Sequence, residues 1–373
     1  MSGWLPVSPC ATIKTMRVHN FGAGPCTLPL SVLKEVQAEI LDYAGTGMSV
    51  IELSHRSDEY QSVHLDALTT IRRVAAAPED FEILFVQGGA TLQFAMIPLN
   101  LLTPGDRAGY VVSGQWGKRA REDAQPHGDV YPAWDGKADS YRRMPAPDEI
   151  TVEQGTRYLH VTTNETIGGI RMVEWPTGET PLVADMSSEY LARPIDWDRY
   201  DLVYGGVQKN LAPAGMAVIF VRRSALETQP SLGGALRYDW YASDQSLANT
   251  PPMFPIYVMG KVLHWLEDKG GIPALEAESA QKASLIYEVI DGSDGYYQSP
   301  VETACRSHMN VVWTMAEPAD EKSFLVEAEQ AGMIGLKGHR SVGGCRASLY
   351  AALEVESAAR LAGFMADFAS ARR

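Results

Sequence analysis

The sequence predicts an α/β protein in which helices cover a mostly parallel sheet and a smaller α+β domain follows. Two observations carry this. From about residue 30 to 265, short apolar β-rich runs alternate with stretches of helical periodicity, the rhythm of strands joined by helical crossovers. Beyond about 265 the texture changes to long amphipathic patterns with an isolated strand. A chain of 373 residues suits two domains sharing an interface. The expected division is a loose N-terminal extension over 1–16, a large domain over 17–265 and a small C-terminal domain over 266–373.

Taken in order, SVLKEVQAEILDY has apolar residues at helical spacing after Pro29, with Ser31 placed to start a helix. FEILFVQ (81–87) reads as a short buried strand that breaks at Gly88-Gly89 and leads into a helix from Thr91 to about Leu101. AGYVVSG, YLHVTTN, PLVADMS and DLVYGG read as further strands, and GMAVIFVRR as an antiparallel return. Lys269-Gly270-Gly271 ends a helix, and a long amphipathic helix begins at Ile272. SHMNVVWTM then reads as a strand and EKSFLVEAEQAGM as a helix.

The net charge of −14 argues against nucleic acid or an anionic membrane as partner, because no excess of cations exists to displace counterions. It does not exclude a small anionic substrate. Of the 32 basic residues 22 are arginine, whose planar guanidinium suits bidentate binding of carboxylate or phosphate. Cys10, Cys26, Cys305 and Cys345 form no CxxC pair, so neither a zinc site nor a disulfide framework is indicated. Reduced thiols, the absence of a basic-then-apolar start and the lack of a membrane-length apolar run give a cytoplasmic expectation.

Chemistry concentrates at three places. Gly88-Gly89-Ala90-Thr91 joins a strand to a helix, where free N–H groups and the Thr91 hydroxyl form a site for a phosphate monoester. Most strand-Gly-Gly-helix corners are only tight turns, so this signal is weak alone. Asp185 ends an apolar run and belongs at the carboxyl edge of the sheet, where open α/β folds bind ligands. Lys209 follows another strand in the glycine-rich, nearly uncharged YGGVQKNLAPAG, a setting that lowers an amine's pKa. A random lysine after a turn is usually a surface residue. A phosphate corner, a carboxylate and a lysine in that order instead suit pyridoxal 5′-phosphate, whose ring nitrogen needs a carboxylate and whose aldehyde needs an amine. Trp116 could stack on the ring, although tryptophan is more often core, and Thr166 could bond the ring's phenolic oxygen or be a plain turn residue. Finally, His55-Arg56 and the run containing His339, Arg340 and Arg346 place cations among glycines and serines. Such clusters are either solvated surface or a place for a substrate with two anionic ends.

These segments together, NFGAGP, SHRS, QGGAT, GQWG, NETIGG, VADMSS, YGGVQKN, NTPP and GLKGHRSVGGCRAS, resemble the phosphoserine aminotransferase family of fold-type I pyridoxal-phosphate enzymes over nearly the whole chain. The resemblance implies a seven-stranded sheet in the large domain and a homodimer with shared active sites. It implies that Lys209 holds the cofactor covalently and that Asp185 pairs with its ring nitrogen. Trp116 and Thr166 would contact the ring, while Ala90, Thr91 and Gln208 would bind its phosphate. Asn249 and Thr250 would reach the phosphate of the other subunit. Arg346 would hold the substrate α-carboxylate; His339 and Arg340, with His55 and Arg56 from the other subunit, would hold its distal phosphate or carboxylate. The implied reaction moves an amino group between L-glutamate and 3-phosphohydroxypyruvate, giving O-phospho-L-serine and 2-oxoglutarate, with a related four-carbon step of pyridoxine synthesis as a second activity. Two departures stand out: Thr91 occupies a position where arginine is common in the family, and Ala23 one where serine is common. A cysteine desulfurase on the same fold would need a nucleophile, for which Cys345 is the candidate. A nicotinamide-dependent dehydrogenase would need a GxGxxG after a strand, which is absent.

Overall fold

The computed structural model of the chain describes residues 17–226 and 231–372. The expected extension at 1–16, with Cys10, lies outside the described residues. At the centre is a seven-stranded sheet whose strands are, in chain order, β1 (Phe81–Gln87), β2 (Arg107–Val112), β3 (Asp129–Asp135), β4 (Thr156–Thr162), β5 (Leu182–Asp185), β6 (Tyr200–Gly206) and β7 (Met216–Arg222). Their spatial order is β1-β7-β6-β5-β4-β2-β3. Only β7 runs antiparallel to its neighbours β1 and β6; the other pairings are parallel. The near-continuous apolar character of these strands follows, because both faces are covered. Along β1, for instance, Phe81, Ile83 and Phe85 enter one core cluster while Leu84 and Val86 enter the other.

Strand β3 had no counterpart in the sequence reading. DVYPAWD carries Pro132 and charged ends, and it can hold Pro132 because it is an edge strand paired only with β2. The first helix spans Leu30–Glu39 with Pro29 at its N-cap and no side-chain cap, so it starts one residue before Ser31. The helix Asp58–Val74 is capped by Ser57, whose side chain accepts from the Tyr60 N–H, directly after His55-Arg56.

Residues beyond the helix Met253–Asp268 build a second layer. An antiparallel sheet of Tyr297–Gln298, Asn310–Met315 and Cys345–Ser348 packs with the helices Gly271–Asp291, Pro318–Gln330 and Val355–Ser370 around a separate apolar cluster that includes Trp313, Phe324, Leu361 and Phe368. Phe21 belongs to that cluster as well, and His19–Asn20 pairs parallel with Met333–Ile334. The start of the described chain is thereby stitched to its C-terminal layer. Among the described residues no helix is long and apolar enough to cross a membrane.

Candidate active site

The site forms where β4, β5 and β6 end. Lys209 closes the short turn Val207–Lys209 after β6 and is buried. Its Nζ donates to Thr166 Oγ1 at 2.6 Å and lies 5.4 Å from the centre of the Trp116 ring. Burial pushes the Lys209 pKa down to about 8, against the opposing pull of Asp185 and Glu165. Asp185, the last residue of β5, is buried too, and its Oδ1 accepts from the Ser187 amide at 2.9 Å and the Ser187 hydroxyl at 2.6 Å. Among the described residues Oδ2 takes no hydrogen bond. Burial raises the Asp185 pKa, while Ser187 and Lys209 counteract that rise.

Two residues in this pocket escaped the sequence reading. Glu165 is fully buried; its two oxygens accept from the amides of Trp116 (3.1 Å) and Gly117 (2.8 Å) at the start of the helix Gln115–Ala124. Burial pushes its pKa up to about 7. A side chain at Gly114 would collide with Glu165, at 2.5 Å from its Cδ, which explains the glycine before Trp116. Ser187 is the other, and a serine two residues after Asp185 was the available signal. Near the lysine, Gly24 adopts φ +135° and a Cβ there would touch Lys209 Cγ at 3.4 Å, so the chain passes close over the stem of the side chain. Ala23 takes part through its carbonyl, which accepts from the Tyr350 hydroxyl at 3.1 Å. That contact needs no serine side chain.

The strand-Gly-Gly-helix corner expected from the sequence is present. Gly88 and Gly89 have φ of 103° and 93°, and the helix Ala90–Leu101 starts at Gly89 without a side-chain cap. Its first amides are therefore available to an anion. Thr91 is exposed at this end, and Gln208 sits beside Lys209, folded over Gly206.

A cavity of about 530 Å³ is lined by the chain neighbours of Trp116 and Thr166, namely Gln115, Ile167 and Gly168, and by His339 and Arg346 among others. Arg346 lies on the strand Cys345–Ser348, and its Nη1 donates to the Thr166 carbonyl at 3.4 Å. Burial lowers the His339 pKa, helped by the positive charges of Arg346 and Arg340; Arg340 itself is exposed. His55, Arg56, Asn249 and Thr250 do not line this cavity. They gather elsewhere: the Thr250 hydroxyl is 3.5 Å from His55 Nδ1, and the Thr250 carbonyl accepts from Gln87 at 2.7 Å. In the chain before His55, Leu30, Leu41, Met48 and Ile51 are exposed. Cys345 is buried, and that burial raises its thiol pKa, so it offers no thiolate for a desulfurase.

The arrangement fits pyridoxal phosphate. It offers an amine biased toward its neutral form, a buried carboxylate with one oxygen free, an indole ring beside the amine and an uncapped helix start. Known proteins point the same way. The family model described as aminotransferase class-V matches residues 18–361. Phosphoserine aminotransferase of Lysinibacillus sphaericus is 44% identical over 356 residues, covering 95% of this chain and 98% of that one. The Niallia circulans protein of the same name is 45% identical over 358 residues, covering 95% and 99%. Among solved structures, phosphoserine aminotransferase from Bacillus circulans subsp. alkalophilus superposes with a TM-score of 0.94 at 45% identity, covering 96% of this chain and 99% of that one. The pyridoxal-phosphate-bound phosphoserine aminotransferase from Trichomonas vaginalis gives 0.89 at 34% identity, covering 94% and 99%. By sequence over nearly its whole length, and by fold, this chain belongs to the class-V aminotransferase family.

Proposed function

We propose that the chain is a pyridoxal-phosphate-dependent phosphoserine aminotransferase, reversibly exchanging an amino group between L-glutamate and 3-phosphohydroxypyruvate to give O-phospho-L-serine and 2-oxoglutarate. The observation that carries the reading is the buried Lys209–Thr166–Asp185 constellation beside a cavity whose lining includes Arg346 and His339. Relatives bearing that name align over nearly their full length. The related four-carbon step of pyridoxine synthesis fits the same site as a second activity.

When bound, pyridoxal phosphate supplies an electron-withdrawing ring that stabilises negative charge on the substrate α-carbon. Asp185 holds a proton at the ring nitrogen, and Ser187 fixes which carboxylate oxygen is presented. Lys209 Nζ would hold the cofactor covalently, and its amine would serve as the base and acid that moves the substrate α-proton. Thr166 orients Lys209 and the ring's oxygen, and Trp116 covers one ring face. Ala90, Thr91 and Gln208 receive the phosphate. Arg346 holds the substrate α-carboxylate, leaving His339 and Arg340 for the distal anion.

The remaining contacts come from a second copy. His55 and Arg56 of the partner subunit complete the distal anion site, and Asn249 and Thr250 of the partner subunit reach the cofactor phosphate. The exposed apolar side chains around the loop before His55 support this homodimer, since such a patch is costly to leave in water. The domain division at 265/266 is part of the same reading, supported by the separate apolar cluster of the C-terminal layer. A cytoplasmic location accords with the uncombined thiols of Cys26, Cys305 and Cys345.

One spectroscopic experiment tests the proposal. O-phosphoserine added to the yellow holoenzyme should bleach the cofactor band, and serine at the same concentration should leave it nearly unchanged. An equal response to serine would refute the phosphorylated substrate.

A further inference from the structure

A second cationic cleft lies outside the catalytic cavity and shares no lining residue with it. It opens between the helix Gly271–Asp291 and the segment 303–308, has a volume of about 530 Å³, and is lined chiefly by Arg171, Gln281, Ser284, Tyr287, Arg306 and His308. No aspartate or glutamate lines it, on a protein whose acidic residues outnumber its basic ones 46 to 32.

The cations here are not equivalent. Arg306 is bound by both oxygens of Asp291 at 2.6 and 2.8 Å and stacks on Tyr287, 4.6 Å from the ring centre. Arg193, just behind, is paired with Glu189 at 2.7 Å. Arg171 is different. Among the described residues it has no carboxylate within ion-pair distance, and its one side-chain hydrogen bond runs from Nη1 to His308 Nδ1 at 3.0 Å. Burial disfavours its charge first, and the neighbouring positive Arg193 adds to that; Glu189 and Glu276 offset only part of it. Because a guanidinium can only donate, His308 Nδ1 must accept, which places the imidazole proton on Nε2. The pair therefore presents donors alone, and a half-buried guanidinium short of a counter-ion is stabilised by an anion.

We infer that this cleft is a binding site for a small phosphate-type oxyanion, held by Arg171 and His308. Its position gives binding there a route to the catalytic centre. Arg171 ends the hairpin formed by Asn164–Glu165 and Ile170–Arg171, whose turn carries Thr166. The hairpin is tied to the cleft wall by the bridge between Ile170 and Arg306 and by the Ser307 amide donating to the Gly169 carbonyl at 3.0 Å.

The test uses holoenzyme and inorganic phosphate at constant ionic strength, with chloride as the matched control for screening. Arg340→Ala weakens the phosphate subsite proposed for catalysis, so the cleft is followed in that background. Phosphate should raise the melting temperature of the Arg340→Ala protein, and adding Arg171→Met should weaken the apparent phosphate affinity by roughly tenfold or more. In the wild-type protein the His308 C2–H proton resonance, assigned with His308→Asn, should move as phosphate is added. An undiminished phosphate response in the double variant, a still His308 resonance, or an equal effect of chloride would each overturn the inference. None of these readouts depends on transamination, so their failure leaves the proposed reaction untouched, and failure of the proposed reaction leaves the cleft untouched.

Discussion

At the scale of single residues, burial sets the charge states of the site. Lys209 is pulled toward the free amine by loss of water, and Asp185 and Glu165 limit how far. The rate at which apoenzyme takes up pyridoxal phosphate covalently should therefore climb with pH and level off above about 8, since the neutral amine is the reactive form. A rise continuing toward pH 10 in stopped-flow absorbance would contradict this. Lys209→Ala should still bind the cofactor, without the covalent bond, but lose turnover. Glu165 shows the opposite sign of effect. Its pKa is about 7 in the fold against 4.5 ordinarily, so between those values the native state keeps a proton that the unfolded chain has released. Stability should fall as pH rises through this window. Glu165→Gln removes that slope, and denaturant titrations at pH 5 and pH 7 would reveal it. The same substitution replaces one acceptor with a donor facing the Trp116 and Gly117 amides, so the cofactor's absorbance maximum should shift as Trp116 moves.

At the scale of elements, the corner between β1 and the helix Ala90–Leu101 depends on backbone freedom. Nothing stands within 4 Å of a Cβ built on Gly89, yet its φ is +93°. Gly89→Ala should consequently destabilise the fold through conformation alone, by roughly 1–3 kcal/mol, and weaken cofactor affinity by tilting the helix amides. Thermal melts and equilibrium dialysis measure the two effects; an unchanged affinity would mean that these amides do not hold the phosphate. Much of this level was readable from the chain. The six other sheet strands were predicted within two residues because apolar runs bounded by glycine, proline and polar clusters have few alternatives. Strand β3 was not, since an edge strand with a proline and one half-wet face lacks that signature. A different limit hid Glu165. Its importance comes from what it touches across the fold, at 48 or 49 positions of sequence separation, and no local pattern encodes that. Lys209, Asp185 and the glycine corner were legible because their chemistry demands rare residue types at strand ends.

At the scale of the whole molecule, the cavity beside Arg346 lacks His55, Arg56, Asn249 and Thr250, and Thr250 meets His55 instead. The proposed shared-site dimer makes a quantitative prediction. Chains carrying Lys209→Ala mixed one to one with chains carrying Arg56→Ala should, after dissociation and reassociation, recover about a quarter of wild-type activity, because half the dimers are hybrids with one intact site of two. No recovery in the mixture would place Arg56 in its own chain's site. The apolar face near that loop has a further consequence. Leu41 is 84% exposed, with Met48 and Ile51 beside it in the chain. In the proposed homodimer a newly made chain would carry this face uncovered until it meets its twin, and during that interval collision with any other unfinished polypeptide would compete with correct assembly. Yield on refolding should then pass through an optimum of protein concentration: too dilute and pairing is slow, too crowded and clumping wins.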